Sequence, residues 1–240
     1  MGVDPFQAEV ARIALVVARE HGFALAGGNA LAAHDLTDRP TEDVDLFTPE
    51  PGGPGAVAEG VRSALEAAGY LVQVIRPAEQ NRGEFVRLSV TLGKDTMLLD
   101  LARDWRQWPP VDLDIGPVLH LDDAVGSKVT AMVFRRLPRD FMDVAAVIAV
   151  YSRADLMRLA FTRDPGLRVV DFTDAALALD EVPAAAFAPY GLPDDAVEHI
   201  RERFADWPRY AAADDEGHAI YQAVRKEESI EEDQAGPAGP

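Results

Sequence analysis

Two aspartates, Asp43 and Asp45, alternate with Val44 and Leu46 in the stretch LAGGNALAAHDLTDRPTEDVDLF, residues 25–47. On a strand, a period of two sends both carboxylates to one face and the apolar pair to the other. Two like charges held side by side disfavour each other unless a cation joins them. Oxygen-only ligands suit a hard divalent ion such as Mg²⁺ or Mn²⁺, which takes one or two carboxylates, keeps several waters and meets substrate phosphates. A third acid, Asp100, lies in the apolar run MLLDLA and needs a partner if it is buried there. Three converging carboxylates can hold metal and activate a nucleophile for in-line phosphoryl or nucleotidyl transfer.

Upstream of the acid pair, Gly27 and Gly28 occupy a strand-to-helix turn, followed by Asn29. Glycines at that place let a phosphate approach backbone N–H groups at a helix start. Gly27-Gly28 alone reads as a tight turn, and an isolated Asp-x-Asp occurs on plain surface strands. It is the combination that points to a nucleotide site. Downstream, SKVTAMVFRRLPRDFMDV supplies Lys128, Arg135, Arg136 and Arg139 beside Asp140 and Asp143. Lys128 and Arg135 are seven apart, hence on one helical face, where they can neutralise charge on a transferring phosphate. Taken singly, Lys128 reads as a solvated helix residue and Arg139–Asp143 as an i, i+4 surface pair. Either Asp140 or Asp143 can be the functional acid, and either can instead pair with Arg136 or Arg139.

These residues require particular elements to position them. Apolar spacing from Phe6 to His21 predicts an amphipathic helix that stops at Gly22. Phe23–Ala26 is a short apolar segment, and Asn29–Leu36 is helical until Asp38-Arg39-Pro40 breaks it. Val44–Phe47 reads as a strand, Pro49–Gly55 as loop and Ala56–Ala68 as a helix ending at Gly69. Tyr70–Ile75, Glu84–Thr91 and Thr96–Ala102 read as a three-stranded meander, with Gly93-Lys94-Asp95 turning between the last two. This order gives an α+β core, not regular βαβ alternation. Trp105–Pro117, rich in Pro and Asp, reads as a connection. Beyond it lie helices from Asp122 or Asp123 to Arg136 and from Arg139 to about Tyr151. Further helical patches fall around 154–161, 173–179, 194–204 and 216–228. The division expected is a core over residues 1–118, a mostly helical region over 119–228 that completes the site, and a flexible acidic tail ending in Gly and Pro over 229–240.

The chain has 240 residues, enough for a full hydrophobic core, and contains no cysteine, which excludes disulfides, thiolate metal sites and thiol catalysis. No segment has the apolar length of a membrane span, and the start lacks a signal-like basic lead and cleavage site, so a cytoplasmic protein without a membrane partner is expected. The formal charge is −18, from 23 Lys+Arg against 41 Asp+Glu. A surface that acidic repels phosphate backbones, so a nucleic-acid ligand needs a local basic patch or a screening cation.

The series Gly27, Gly28, Ala30, Leu31, His34, Arg39, Thr41, Asp43, Asp45 and Leu46 resembles the AbiEii/AbiGii nucleotidyltransferases of abortive-infection and toxin–antitoxin systems. These in turn resemble the DNA-polymerase-β-like superfamily. Lys128, Arg135, Arg139, Asp140 and Asp143 fit the later part of the same pattern, and the last third of the chain matches no motif. The resemblance implies a polymerase-β-like core, a mixed sheet with flanking helices, plus a mostly helical C-terminal part. It implies metal binding at Asp43 and Asp45, phosphate contact at Gly28 and Asn29, and catalytic support from Lys128 and Asp143; Asp100, read from its own apolar run, is expected to help as metal ligand or base. The expected enzyme moves a nucleoside monophosphate from an NTP to an acceptor, and is the toxin of a pair with a separate antitoxin protein. The acceptor implied is an RNA such as the 3′ end of tRNA. Two alternatives stand beside it: a small hydroxylated acceptor, as in aminoglycoside nucleotidyltransferases, whose cationic substrates suit an acidic surface, and a non-catalytic nucleotide-binding module. Position 29 departs from the superfamily, where Ser commonly follows the glycine, and an Asn amide can donate in place of that hydroxyl.

Overall fold

A computed structural model describes residues 2–235, with side chains described through residue 227. The chain divides into two compact units, one up to Ala124 and the other from Val125. In the first, helix α1 (Pro5–Ala18) opens with Pro5 in its first turn and with the Asp4 carboxylate accepting from the N–H groups of Phe6 and Gln7. A 3₁₀ turn, Arg19–His21, continues it to Gly22, whose φ of 69° is the left-handed stop that the sequence suggests.

The elements that follow are β1 (Ala24–Leu25), α2 (Gly27–Ala33), β2 (Asp43–Thr48), α3 (Gly53–Ala67), β3 (Leu71–Arg76), β4 (Phe85–Leu92), β5 (Asp95–Arg103), β6 (Val111–Leu113) and β7 (Gly116–Val118). They form one mixed sheet in the order β3-β4-β5-β2-β1-β7-β6. The meander β3-β4-β5 is antiparallel, β2 runs parallel to β5, and β1 is antiparallel to β2 but parallel to β7. Val44 and Leu46 of β2, Leu99 and Leu101 of β5, and Val86 and Leu88 of β4 share the buried face. Helix α3 packs against β3, β4 and β5, and α1 against α3 and β2, so this core fixes which face β2 and β5 present away from α1 and α3.

Two features depart from the sequence reading. The stretch 105–117 is not simply a connection, because Val111–Leu113 and Gly116–Val118 pair as an antiparallel hairpin at the sheet edge. Its strands are three residues long and one contains Pro117, which hides the alternation that normally marks a strand. The unit boundary also falls later than residue 118. The Leu119 N–H donates to the Leu25 carbonyl at 2.9 Å, and the Asp123 carboxylate accepts from the N–H groups of Gln107 and Trp108 at 2.8 and 2.9 Å. These bonds tie the first turn of the next helix to the first unit.

That helix, α4 (Leu121–Arg135), continues into the second unit, which also holds α5 (Pro138–Val147), α6 (Arg153–Arg163), α7 (Val169–Glu181), α8 (Val197–Arg203) and α9 (Asp215–Ala235). Its core is aromatic: Phe141 meets Phe204 edge-on, Phe161 meets Phe172, and Trp207 packs on Phe204. Helix α9 carries the chain through residues 229–235 of the expected flexible tail, and residues 236–240 lie outside the described residues. Among the described residues, no helix is long and apolar enough to cross a membrane.

Candidate active site

Strand register builds the acid cluster. In the parallel pair of β2 and β5, Asp45 stands opposite Asp100, so the Asp100 carboxylate of β5 joins the two of β2 on the face turned away from α3. One oxygen from each of Asp43, Asp45 and Asp100 lies within 4.8 Å of the others. Carboxylates this close repel, and an all-oxygen donor set is what a hard divalent cation takes. The residues present therefore fit Mg²⁺ or Mn²⁺.

The burial of Asp100 explains a residue that the sequence reading passed over. Arg87 on β4 stands directly opposite Asp100 in the antiparallel register. Its guanidinium donates through Nε to Oδ1 at 2.7 Å and through a terminal nitrogen to Oδ2 at 2.6 Å. The Asp100 side chain is 7% exposed and Arg87 37%. The hydrogen bonds to Asp100 raise the Arg87 pKa above its ordinary value, and the nearby charges of Asp100, Asp43 and Asp45 act in the same direction. The signal was available: a buried Asp in an apolar run demands a partner, and FVRLSV places one arginine on the polar face of the neighbouring strand.

The glycine turn packs against the acids. Gly27 has φ of 62°, and a Cβ there would lie 1.8 Å from an Asp45 carboxylate oxygen, so a side chain is excluded by both conformation and space. A Cβ at Gly28 would lie 2.7 Å from the Thr41 methyl and 3.1 Å from the Arg39 guanidinium. The position that a Cβ would take at either glycine is thus occupied by the protein's own Asp45, Thr41 and Arg39. The Ala26 N–H donates to the Asp45 carbonyl at 2.8 Å, fixing the turn to β2.

Asn29 adds a second tie. Its side-chain N–H₂ donates to the Asp43 carbonyl at 2.9 Å, and its Oδ1 accepts from the Thr41 hydroxyl at 3.0 Å. Thr41 is held in turn by Gln7, whose Nε2 donates to the Thr41 carbonyl at 2.7 Å. At 2% exposure, the Asn29 amide that the sequence suggests as a phosphate donor is engaged in bracing β2. His34 plays a comparable part, its Nε2 lying 2.9 Å from the Leu119 carbonyl.

Lys128, Arg135, Asp140 and Asp143 belong to the second unit. The shared face of Lys128 and Arg135 is real, but it meets the two acids of α5. Lys128 Nζ lies 2.9 Å from an Asp143 oxygen, with side-chain exposures of 9% and 0%, so Lys128 is not a solvated helix residue and Asp143 is no surface acid. Arg135 bonds Asp140 at 2.5 Å, and Asp140 also accepts from the Leu137 N–H at the start of α5. Both acids are fully buried; Asp140 thereby caps its own helix, whereas Asp143 pairs with Lys128.

The family model described as "Nucleotidyl transferase AbiEii toxin, Type IV TA system" matches residues 11–234. A search of curated proteins finds no match. Among solved structures, MenT4, a nucleotidyltransferase toxin from Mycobacterium tuberculosis, aligns with a TM-score of 0.56 at 17% identity, covering 92% of each chain. JHP933 from Helicobacter pylori aligns with a TM-score of 0.53 at 13% identity, covering 97% of this chain and 100% of that one. At such identities the likeness speaks for the fold, whereas the family match spans the glycine turn, all three aspartates and the Lys128–Asp143 pair. The chain belongs to the AbiEii family of nucleotidyltransferase toxins of type IV toxin–antitoxin systems.

Proposed function

We propose that this nucleotidyltransferase is metal-dependent and transfers a nucleoside monophosphate from an NTP to a hydroxyl of an RNA acceptor, with the 3′ end of tRNA as first candidate. The observation that carries the metal reading is the register of Asp45 against Asp100, which gathers three carboxylate oxygens within 4.8 Å. Asp43, Asp45 and Asp100 would hold Mg²⁺ or Mn²⁺. Bound there, the ion supplies charge stabilisation on the phosphates and an acidified acceptor hydroxyl. In the reaction the acceptor hydroxyl gives up its proton to solvent, its oxygen bonds to the α-phosphorus, the bond from the α-phosphorus to the oxygen bridging the β-phosphate breaks, and pyrophosphate leaves.

The chain's own residues do the positioning. Asn29, Thr41 and Gln7 brace the start of β2, and the absent Cβ of Gly27 allows the Asp45 carboxylate to sit against the turn. Gly27, Gly28 and the backbone of Asn29 are the proposed phosphate contacts. Lys128 and Asp143 are proposed to support catalysis as one buried pair, with Arg135 as an auxiliary cation. An antitoxin protein that restrains the toxin follows from the family's place in type IV systems, and the proposed compartment is the cytoplasm.

The full chain, incubated with Mg²⁺, α-labelled NTPs and either total RNA or a panel of aminoglycosides, tests both reaction and acceptor. Label on RNA that is lost with EDTA and with Asp45→Asn supports the proposal. Label on aminoglycosides alone replaces the RNA acceptor by a small cationic one. Equal labelling by wild type and Asp45→Asn refutes the catalytic reading altogether.

A further inference from the structure

The acid cluster carries a cation of its own. Arg87, Asp100 and Asp45 form one row across β4, β5 and β2, because Arg87 pairs with Asp100 in one register and Asp45 with Asp100 in the other. Asp100 is the middle member, and each of its oxygens accepts a hydrogen bond from Arg87. The guanidinium is preorganised from below: its carbon lies 5.6 Å from the centroid of the Phe85 ring, which also carries Arg76 at 5.1 Å. A bidentate, stacked arginine of this kind holds a carboxylate in one orientation far better than a flexible point charge does.

We propose that Arg87 is a positioning residue for Asp100. Its guanidinium holds that carboxylate in the triad before a divalent cation arrives, and competes with the ion for the same oxygens, so that Arg87 sets the cation concentration at which the site loads. This inference rests on the proposed metal site and deepens it. With Arg87 in place, an arriving ion must share both oxygens of Asp100 with donors at 2.6–2.7 Å and enter the field of a fixed positive charge. Without Arg87 the ion meets the same three carboxylates unopposed. The fixed charge of Arg87 also holds the three carboxylates together, so the metal-free protein is less stable when it is gone.

The test uses Mn²⁺ alone, without nucleotide, on the full chain. Free Mn²⁺ is followed by electron paramagnetic resonance for wild type, Arg87→Met, Arg87→Lys and Asp45→Asn, alongside thermal melts with and without the ion. Arg87→Met should bind Mn²⁺ about tenfold more tightly, in line with the one-to-three-unit effect that a neighbouring opposite charge has on carboxylate ionisation. It should also melt lower than wild type when metal-free, with the gap closing as Mn²⁺ is added. Arg87→Lys, which keeps the charge but not the fork, should lie between the two. If a folded Arg87→Met or Arg87→Lys binds Mn²⁺ no more tightly than wild type while Asp45→Asn abolishes binding, the role of Arg87 is refuted and the metal site stands. If Asp45→Asn leaves Mn²⁺ binding unchanged, the metal site and the role of Arg87 fall together.

Discussion

The Lys128–Asp143 pair permits a prediction that separates architecture from chemistry. Asp143 is fully buried and Lys128 nearly so, with 2.9 Å between their charged atoms. Replacing Lys128 by Met keeps most of the apolar stem and removes the positive charge that lies 2.9 Å from the buried Asp143 carboxylate. Breaking a buried pair from one side costs about 3–5 kcal/mol. For a chain of this size each kcal/mol lowers the melting temperature by roughly 2–4 °C, so the full chain should melt on the order of 6–20 °C lower. The double variant Lys128→Met, Asp143→Leu removes both charges, and such replacements are often neutral or stabilising. It should recover most of the loss, giving a coupling energy of at least about 2 kcal/mol in a double-mutant cycle. Thermal and urea melts of the four proteins measure it. A single variant that costs less than about 1 kcal/mol, or a double variant that melts below the single one, would refute the reasoning. Label transfer by the refolded double variant then has a clear meaning: loss of transfer in a protein of recovered stability assigns the pair to the reaction, and retained transfer assigns it to the fold.

Two further substitutions address the brace of the first unit. Asn29→Ala removes the bonds to the Asp43 carbonyl and the Thr41 hydroxyl at a site 2% exposed. It should cost about 1–3 kcal/mol by leaving buried polar groups unpaired, and should weaken Mn²⁺ binding in a calorimetric titration because Asp43 loses its anchor. Unchanged stability and affinity would return Asn29 to the role of a free phosphate donor. Gly27→Ala sets a methyl on the Asp45 carboxylate and on a positive φ. Label transfer should fall at least 10-fold, by an estimate from what small misplacements cost catalysis, while a wild-type rate would show that Asp45 has room to move.

Much of this site is legible in the chain because it obeys local rules. Asp43-Val44-Asp45-Leu46 can meet both its burial and its charge requirements only as a strand with the acids on the open face, and Gly22 and Gly27 occur where a left-handed backbone is needed. What escapes a sequence reading is set by register and by neighbours distant in the chain. Arg87 matters only because the β4–β5 pairing places it opposite Asp100, and a shift of one residue would turn it to the other face. Asn29 looks like a ligand donor until Thr41 and the Asp43 carbonyl occupy it. Lys128 looks solvated because α4 alone cannot show that α5 returns with Asp143 beneath it. The β6–β7 hairpin escaped for a different reason, since three-residue strands with a proline carry too little alternation to be seen.

The most direct test of the account is the position of the metal itself. Crystals of the protein soaked in Mn²⁺ with a non-hydrolysable NTP analogue, measured at the manganese absorption edge, locate the ion by its anomalous scattering. The account predicts a peak within ligand distance of the carboxylates of Asp43 and Asp45, shared with Asp100, and none in Asp45→Asn crystals treated alike. Ordered analogue with no manganese peak among these three aspartates, or a peak that survives Asp45→Asn, would contradict it.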